Sequence, residues 1–222
     1  MLFRNRAEAG RRLATELSDY AGRPNVVVLA IPRGGVPVAA PVASKLGAEL
    51  DVFLVRKLGI PGHEELALGA IASGGIRVLN YGLLEKLNIP DEVVNAVEAE
   101  ERVELDRRER DYRGQRSPAK TAGRSVILID DGLATGSSML AAVTALRHQD
   151  PARIVVAIPV GSAAACNEIR PDVEELVCLA QPEPFYSVST WYRDFSQIRD
   201  SEVRRLLDRA ASHFVEASAG SA

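Results

Sequence analysis

Short, unbroken apolar runs punctuate this chain. NVVVLAI, ELDVFLV, SVILID, RIVVAI and VEELVCLA are rich in Val, Ile and Leu and are bounded by Gly, Pro or charged residues. They predict strands near 26–31, 51–55, 125–130, 153–158 and 175–179. Between most of them apolar residues recur at helical spacing, as with Leu13 and Leu17, then Val38, Val42 and Leu46, then Met139, Leu140, Val143 and Leu146. Asn5 followed by Glu8 has the form of a helix cap, so a first helix is expected over about 6–20. Because helical crossovers are the usual way to join parallel neighbours, the pattern predicts an α/β fold: a doubly wound, five-stranded, mainly parallel sheet with helices on both faces.

A long excursion interrupts the rhythm between the second and third runs. GIPGHEELALGAIASGGIRVLN begins as a Gly/Pro-rich loop and continues as two short extended pieces around Ser73-Gly74-Gly75, an antiparallel flap. Asp91 to Arg113 is helical and strongly charged. Glu98 with Arg102, Glu104 with Arg108, Asp106 with Arg110 and Glu109 with Arg113 each place the acid four residues before the base, the favourable order. Its apolar stripe of Val94, Val97, Leu105 and Tyr112 is thin, which predicts a solvated arm or a subunit contact. The whole is read as one domain over 1–215, with flap and charged helical insertion at about 58–120, a hood at about 180–200 and a disordered tail at 216–222.

Composition narrows the function. The 222 residues carry a formal charge of −3 and a sequence pI near 5.7, so the chain lacks the clustered positive charge that nucleic-acid binding requires. The longest apolar run, Val26 to Ile31, is far too short to cross a bilayer, and MLFRNRAEAG has no signal-peptide core, so no membrane partner and a cytoplasmic location are expected. Cys166 and Cys178 have no metal-type spacing and read as small core residues. His148 and His213 read as surface residues of helices.

The distinctive chemistry lies at the end of the third run, in SVILIDDGLATGSS. If the third strand lies beside the first, chain direction reverses between them, and ligands bind at such a switch point outside the carboxyl ends of the strands. PRGG, Pro32 to Gly35, and DDGLATGSS, Asp130 to Ser138, would meet there. The free amides of a helix beginning near Ser138, with the hydroxyls of Thr135, Ser137 and Ser138 and the open backbone of Gly136, suit a phosphate. Asp130 and Asp131 would repel a phosphate held against them but suit a sugar diol, or a hard cation such as Mg2+. The ATP-type loop is excluded because Gly132 and Gly136 have three residues between them and no Lys follows; G-x-G-x-x-G follows no strand.

At these residues the sequence resembles the type I phosphoribosyltransferases, whose signature is an apolar run, two acids, two or three small or apolar residues and Thr-Gly-x-Ser/Thr. The resemblance covers about 26–200. It is closest to bacterial members of unassigned acceptor, which share IPRGGVPVA, VRKLGIPGHEELALGAIA and PFYSVSTWYRDF. It implies an enzyme that passes the ribosyl 5-phosphate of 5-phosphoribosyl 1-pyrophosphate (PRPP) to a nitrogenous base, with Mg2+, as a homodimer. Asp130 and Asp131 would hold the ribose hydroxyls, directly or with metal, and Ala134, Thr135, Gly136, Ser137 and Ser138 the 5-phosphate. Arg33, Gly34 and Gly35, with Arg56 and Lys57 closing the second strand, would hold pyrophosphate, and Gly34 or Gly35 would host a non-proline cis peptide. GIPGHEEL, Gly59 to Leu66, has the composition of a lid that excludes water. Relatives acting on 6-oxopurines usually carry a third acid where this chain has Ala134, so hypoxanthine and guanine are disfavoured. Glu64 or Glu65 is then the proton-transfer candidate, with His63 behind them. Phe185, Tyr186, Trp191 and Tyr192 are candidates for stacking on the base. A PRPP-sensing regulator on the same fold is the alternative, and an unrelated sugar-phosphate chemistry on the same sheet the third.

Overall fold

In the computed structural model, residues 2–60 and 63–219 are described, with backbone alone for 63–66 and 216–219. The order of elements is α1 Arg6–Glu16, β1 Val26–Ala30, α2 Gly35–Leu46, β2 Glu49–Val52, β3 Val55–Ile60, β4 His63–Ala72, β5 Ile76–Leu79, α3 Tyr81–Leu87, α4 Asp91–Arg113, β6 Ser125–Ile129, α5 Ser137–Arg147, β7 Arg153–Ile158, α6 Ala163–Ile169, β8 Glu175–Cys178 and α7 Asp200–Ala219. Among the described residues no helix is long and apolar enough to cross a membrane.

Five strands form a sheet in the order β2-β1-β6-β7-β8, every pair parallel. β1 and β6 are neighbours, with Val26 opposite Ser125 and Ala30 opposite Ile129, so the direction of winding reverses between them. Alternation along each strand sends Val26, Val28, Ala30, Ile127, Ile129, Val155 and Ala157 to one face, where α1, α2 and α7 pack. Val27, Leu29, Val126, Leu128, Ile154 and Val156 face the other way, onto α5 and α6. Near-continuous apolar strands are what two covered faces require.

The excursion differs from its sequence reading. Instead of a loop and a two-piece flap, β3, β4 and β5 form a three-stranded antiparallel sheet, β4 and β5 turning at Gly74 and Gly75, both at positive φ. Most of the expected lid is strand: Gly59 and Ile60 end β3 and His63 to Leu66 begin β4, while 61–62 lie outside the described residues. Leu58, Ile60, Leu68 and Ile71 are buried in the core shared with α2 and α4, which is why this segment is ordered as a sheet.

The charged helix spans Asp91–Arg113 as expected, but it is not a solvated arm. Val94, Leu105 and Tyr112 are at most 1% exposed and belong to the main core, because even a thin stripe at helical spacing suffices to dock one face. Its C-terminal end is pinned by Arg113, whose Nε lies 3.0 Å from both Asp51 oxygens and whose Nη2 donates to the Val52 carbonyl at 2.7 Å. Of the four expected acid–base pairs, Glu98–Arg102, Glu104–Arg108 and Glu109–Arg113 form; Arg110 instead donates to the backbone oxygen of Asp106. α7 continues to Ala219, so residues 216–219 of the expected tail are helical, and 220–222 lie outside the described residues.

The core assignment of α4 is testable by Leu105→Ala. A solvated residue would change stability by about 0.5 kcal/mol or less, whereas deleting a buried leucine side chain costs about 2–5 kcal/mol. Urea unfolding of the two proteins should show the larger loss.

Candidate active site

The cleft is made by two loops at the carboxyl ends of β1 and β6. After β1 the chain runs through Pro32, Arg33 and Gly34 into α2; after β6 it runs through Asp130 to Gly136 into α5. A non-proline cis peptide is present, but between Pro32 and Arg33 rather than at Gly34 or Gly35. The loops touch at Gly34, where an added Cβ would lie 2.0 Å from Asp131 Oδ2. No residue with a side chain fits there unless the carboxylate moves, so Gly34 is a condition of Asp131's position.

Asp131 is held from three further directions. Arg6, at the first turn of α1, donates through Nε to Asp131 Oδ2 at 2.7 Å. Its guanidinium carbon lies 3.7 Å from the centre of the Phe195 ring, and Nη1 donates to the Ser196 carbonyl at 3.0 Å. Tyr192 donates its hydroxyl to the backbone oxygen of Asp131 at 2.6 Å. The Asp131 N–H, in turn, donates to Asp130 Oδ1 at 2.8 Å. Burial and the neighbouring Asp131 carboxylate push the Asp130 carboxyl well above its usual range; burial also raises Asp131, against the opposing pull of Arg6.

On the α5 side, Gly136 takes φ +80°, a conformation that favours glycine, and Leu140 N–H donates to its carbonyl as the helix begins. The amides before Leu140 have no acceptor within the helix and point outward with the positive end of its dipole. Ala134, Thr135, Ser137 and Ser138 are exposed around them, with Thr135 Oγ1 and Ser137 Oγ 3.3 Å apart. The loop is propped from behind by the turn after β7: Leu133 N–H donates to Val160 O, Ser162 N–H to Leu133 O and Ser162 Oγ to Ala134 O, at 2.8–2.9 Å. A cavity of about 450 Å³ lies between Arg6, Arg33, Gly34, Asp131, Phe195 and Gln197. The arrangement therefore sets two carboxylates and an anion-receptive helix start on one loop, opposite the cation Arg33.

The basic pair is split. Arg56 and Lys57 lie within β3, not at the end of β2, and alternation turns them to opposite faces. Arg56 is engaged by Glu101 of α4; Lys57 is exposed on the other face, the one where Val55 packs toward α5. Arg33 is 40% exposed and 3.9 Å from Asp200, which also accepts the Tyr112 hydroxyl at 2.6 Å. The side chains of His63, Glu64 and Glu65 lie outside what is described.

The hood aromatics divide too. Tyr192 is 2% exposed, its ring between Phe3 and Phe195 at centroid distances of 5.4 and 5.1 Å, so it supports the Asp131 loop and cannot stack on a base. Phe185 and Trp191 are partly buried against the same cluster, and Tyr186 is 79% exposed. Val188 of the hood leans over Gly132, where an added Cβ would meet it at 2.5 Å. The sequence reading misses Arg6. The available signal is its place on the stripe of Leu13 and Leu17, where a charge demands a buried partner.

Comparison with known proteins gives the family. Residues 2–187 match the phosphoribosyl transferase domain. The chain belongs to that family. It is 43% identical over 218 residues to the Mycobacterium tuberculosis H37Rv protein named "Putative phosphoribosyl transferase Rv0571c", and equally to its counterpart in strain CDC 1551 / Oshkosh, "Putative phosphoribosyl transferase MT0597". These alignments cover 98% of this chain and 49% of each relative, so the chain spans about half the length of the curated family members it matches. The crystal structure of TT1426 from Thermus thermophilus superposes with a TM-score of 0.84 at 42% identity, covering 93% of this chain and 98% of that one.

The raised Asp130 carboxyl has a measurable consequence. Its ionisation costs the folded state nothing below the ordinary value of 3.8; the cost grows as pH rises from there to the native value and is constant above it. Asp130→Asn should therefore be more stable than the parent near pH 7, with the difference closing as pH falls toward 3, in paired urea melts across that range.

Proposed function

We propose that the chain is a phosphoribosyltransferase that moves ribosyl 5-phosphate from PRPP to a nitrogenous base and releases pyrophosphate. The observation that carries this reading is the loop on which Asp130 and Asp131 stand a few residues ahead of the open start of α5, with Asp131 lining the cleft together with Arg33. Amides and hydroxyls from Thr135 to Ser138 receive the 5-phosphate, and Gly136 lets it approach the backbone. The two carboxylates, too close to accept a second anion, accept hydrogen bonds from the vicinal ribose hydroxyls, which replaces the hydration lost on burial.

As the bond from C1 to pyrophosphate lengthens, positive charge grows on the ribose ring and negative charge on the departing group. Arg33 stabilises the latter and Asp130 and Asp131 the former through their field. Lys57, on the exposed face of β3, joins Arg33 when the β3–β4 hairpin closes; Arg56, bound to Glu101, steadies the hairpin on α4 and does not touch the diphosphate. Glu64 or Glu65 takes the proton of the base, and closure excludes water. Tyr186 is the hood aromatic free to stack on the base.

The donor set fits Mg2+ in one way. Asp131 Oδ2 already accepts from Arg6 and Asp130 Oδ1 from the Asp131 N–H, and among the described residues no cluster of three or more His, Cys, Asp or Glu could form a protein cage. Asp130 and Asp131 would hold the ion through their remaining oxygens or through water, the rest of its shell coming from pyrophosphate, the usual habit of Mg2+. Bound there, it would neutralise charge on the leaving group.

Titration with PRPP and Mg2+ tests this reading. At a hundred times the dissociation constant the ligand adds about 2.7 kcal/mol, or about 5–10 °C in melting temperature for a chain of this size. Ser137→Glu, which puts a carboxylate in the phosphate seat, should abolish the shift. A screen of nucleobases for pyrophosphate release should find an acceptor; PRPP binding without release from any base would instead favour a PRPP-binding regulator. With that acceptor, Glu64→Gln or Glu65→Gln should lower turnover far more than PRPP affinity, and unchanged turnover in both would remove the glutamates from the mechanism.

A further inference from the structure

A second cavity is larger than the cleft. About 540 Å³ opens between α1, α2 and α7. α2 turns only short side chains toward it, including Ala40, Pro41, Ala43 and Ser44, while α7 spans it with Leu206 and Ala210. α7 packs against the core that α2 belongs to, through Leu206 and Ala210, but the short side chains of α2 leave an apolar hollow of ligand size beside that contact.

Its charge is one-sided. Arg11 of α1 and Arg205 and Arg209 of α7 line the cavity, with His213 one turn further along. Arg205 and Arg209 are four residues apart on one face, a like-charge spacing that destabilises a helix. Glu202 is the one acid lining the cavity, and among the described residues it forms no ion pair with any of the three arginines. By contrast the arginines at the neighbouring helix contacts, Arg6, Arg56, Arg113 and Arg116, all have carboxylate partners. Three exposed guanidiniums without carboxylate partners beside an apolar floor are complementary to one kind of ligand, a compact apolar body bearing a negative charge.

We propose that the α1–α2–α7 cavity is a second binding site, which takes a small amphipathic anion such as an aromatic or short-chain carboxylate or phosphate ester. The helices around it begin at the reaction cleft: α1 with Arg6, α2 just after Gly34, and α7 with Asp200, the partner of Arg33 and Tyr112. A ligand seated here contacts the shafts of the elements whose ends hold Asp131 and Arg33, so it is placed to act as an effector. Its binding does not depend on the transfer reaction.

The probe is 8-anilinonaphthalene-1-sulfonate, an aromatic monoanion whose fluorescence rises in apolar surroundings, titrated into the native protein. Saturable binding at one site per chain is expected. Arg205→Glu combined with Arg209→Glu should weaken it at least tenfold, and Ala210→Trp, which fills the hollow without touching charge, should do the same. Arg204→Glu, on the exposed side of α7, and Asp131→Asn, in the cleft, should leave the titration unchanged. Melting curves of each variant check that it is folded, and the steric and charge variants test the site independently. No saturable binding, equal weakening by Arg204→Glu, or loss on Asp131→Asn would overturn the proposal.

Discussion

The carboxylate of Asp131 is wedged between the backbone of Gly34 and the guanidinium of Arg6, and the cleft exists because those groups meet. Each belongs to a different part of the chain: one to the turn after β1, one to the first turn of α1, one to the loop after β6. An anion buried without that cation would be expelled or protonated, and a side chain at residue 34 would push it out of place. The stack of Arg6 on Phe195 and the hydrogen bond from Tyr192 extend the same clamp into the hood. Position, charge state and shielding of one carboxylate thus draw the N-terminal helix, the sheet and the hood into one site.

That constraint explains why two acids stand side by side where one would cap a helix. Burial and the neighbouring carboxylate hold Asp130 back from ionising, while Asp131, also raised by burial, is steadied by Arg6. On the proposed reading, a diol that donates to both would relieve the cost of burying them, and the open amides of α5 follow on the same loop. Anion binding, on the same reading, falls to the amides and hydroxyls at the start of α5 and to Arg33.

The parts legible in the sequence are those written in contiguous residues. Val26 to Ile31 and Ser125 to Ile129 carry their strand character locally, and Asp130 to Ser138 holds carboxylates, glycine and hydroxyls within one short loop. The order of β1 beside β6 follows from the usual winding of such sheets. What the sequence concealed is made by long-range meeting. Arg6 and Asp131 are 125 positions apart, and Tyr112 and Asp200 are 88 apart. Arg56 and Lys57 read as one basic pair because the break between β2 and β3, which places them mid-strand on opposite faces, carries no Gly or Pro. The charged helix looked solvated because charge count drowned out Val94, Leu105 and Tyr112, which needed only a thin groove. Tyr192 looked like a base platform because an aromatic in a hood gives no hint of which way it faces.

A crystal structure of the chain grown with PRPP and Mg2+ tests the central claim most directly. The 5-phosphate should lie within hydrogen-bonding distance of the amides from Thr135 to Met139, with both ribose hydroxyls on Asp130 and Asp131. Density for the phosphate anywhere else, or carboxylates that still contact only Arg6 and the backbone, would contradict the account.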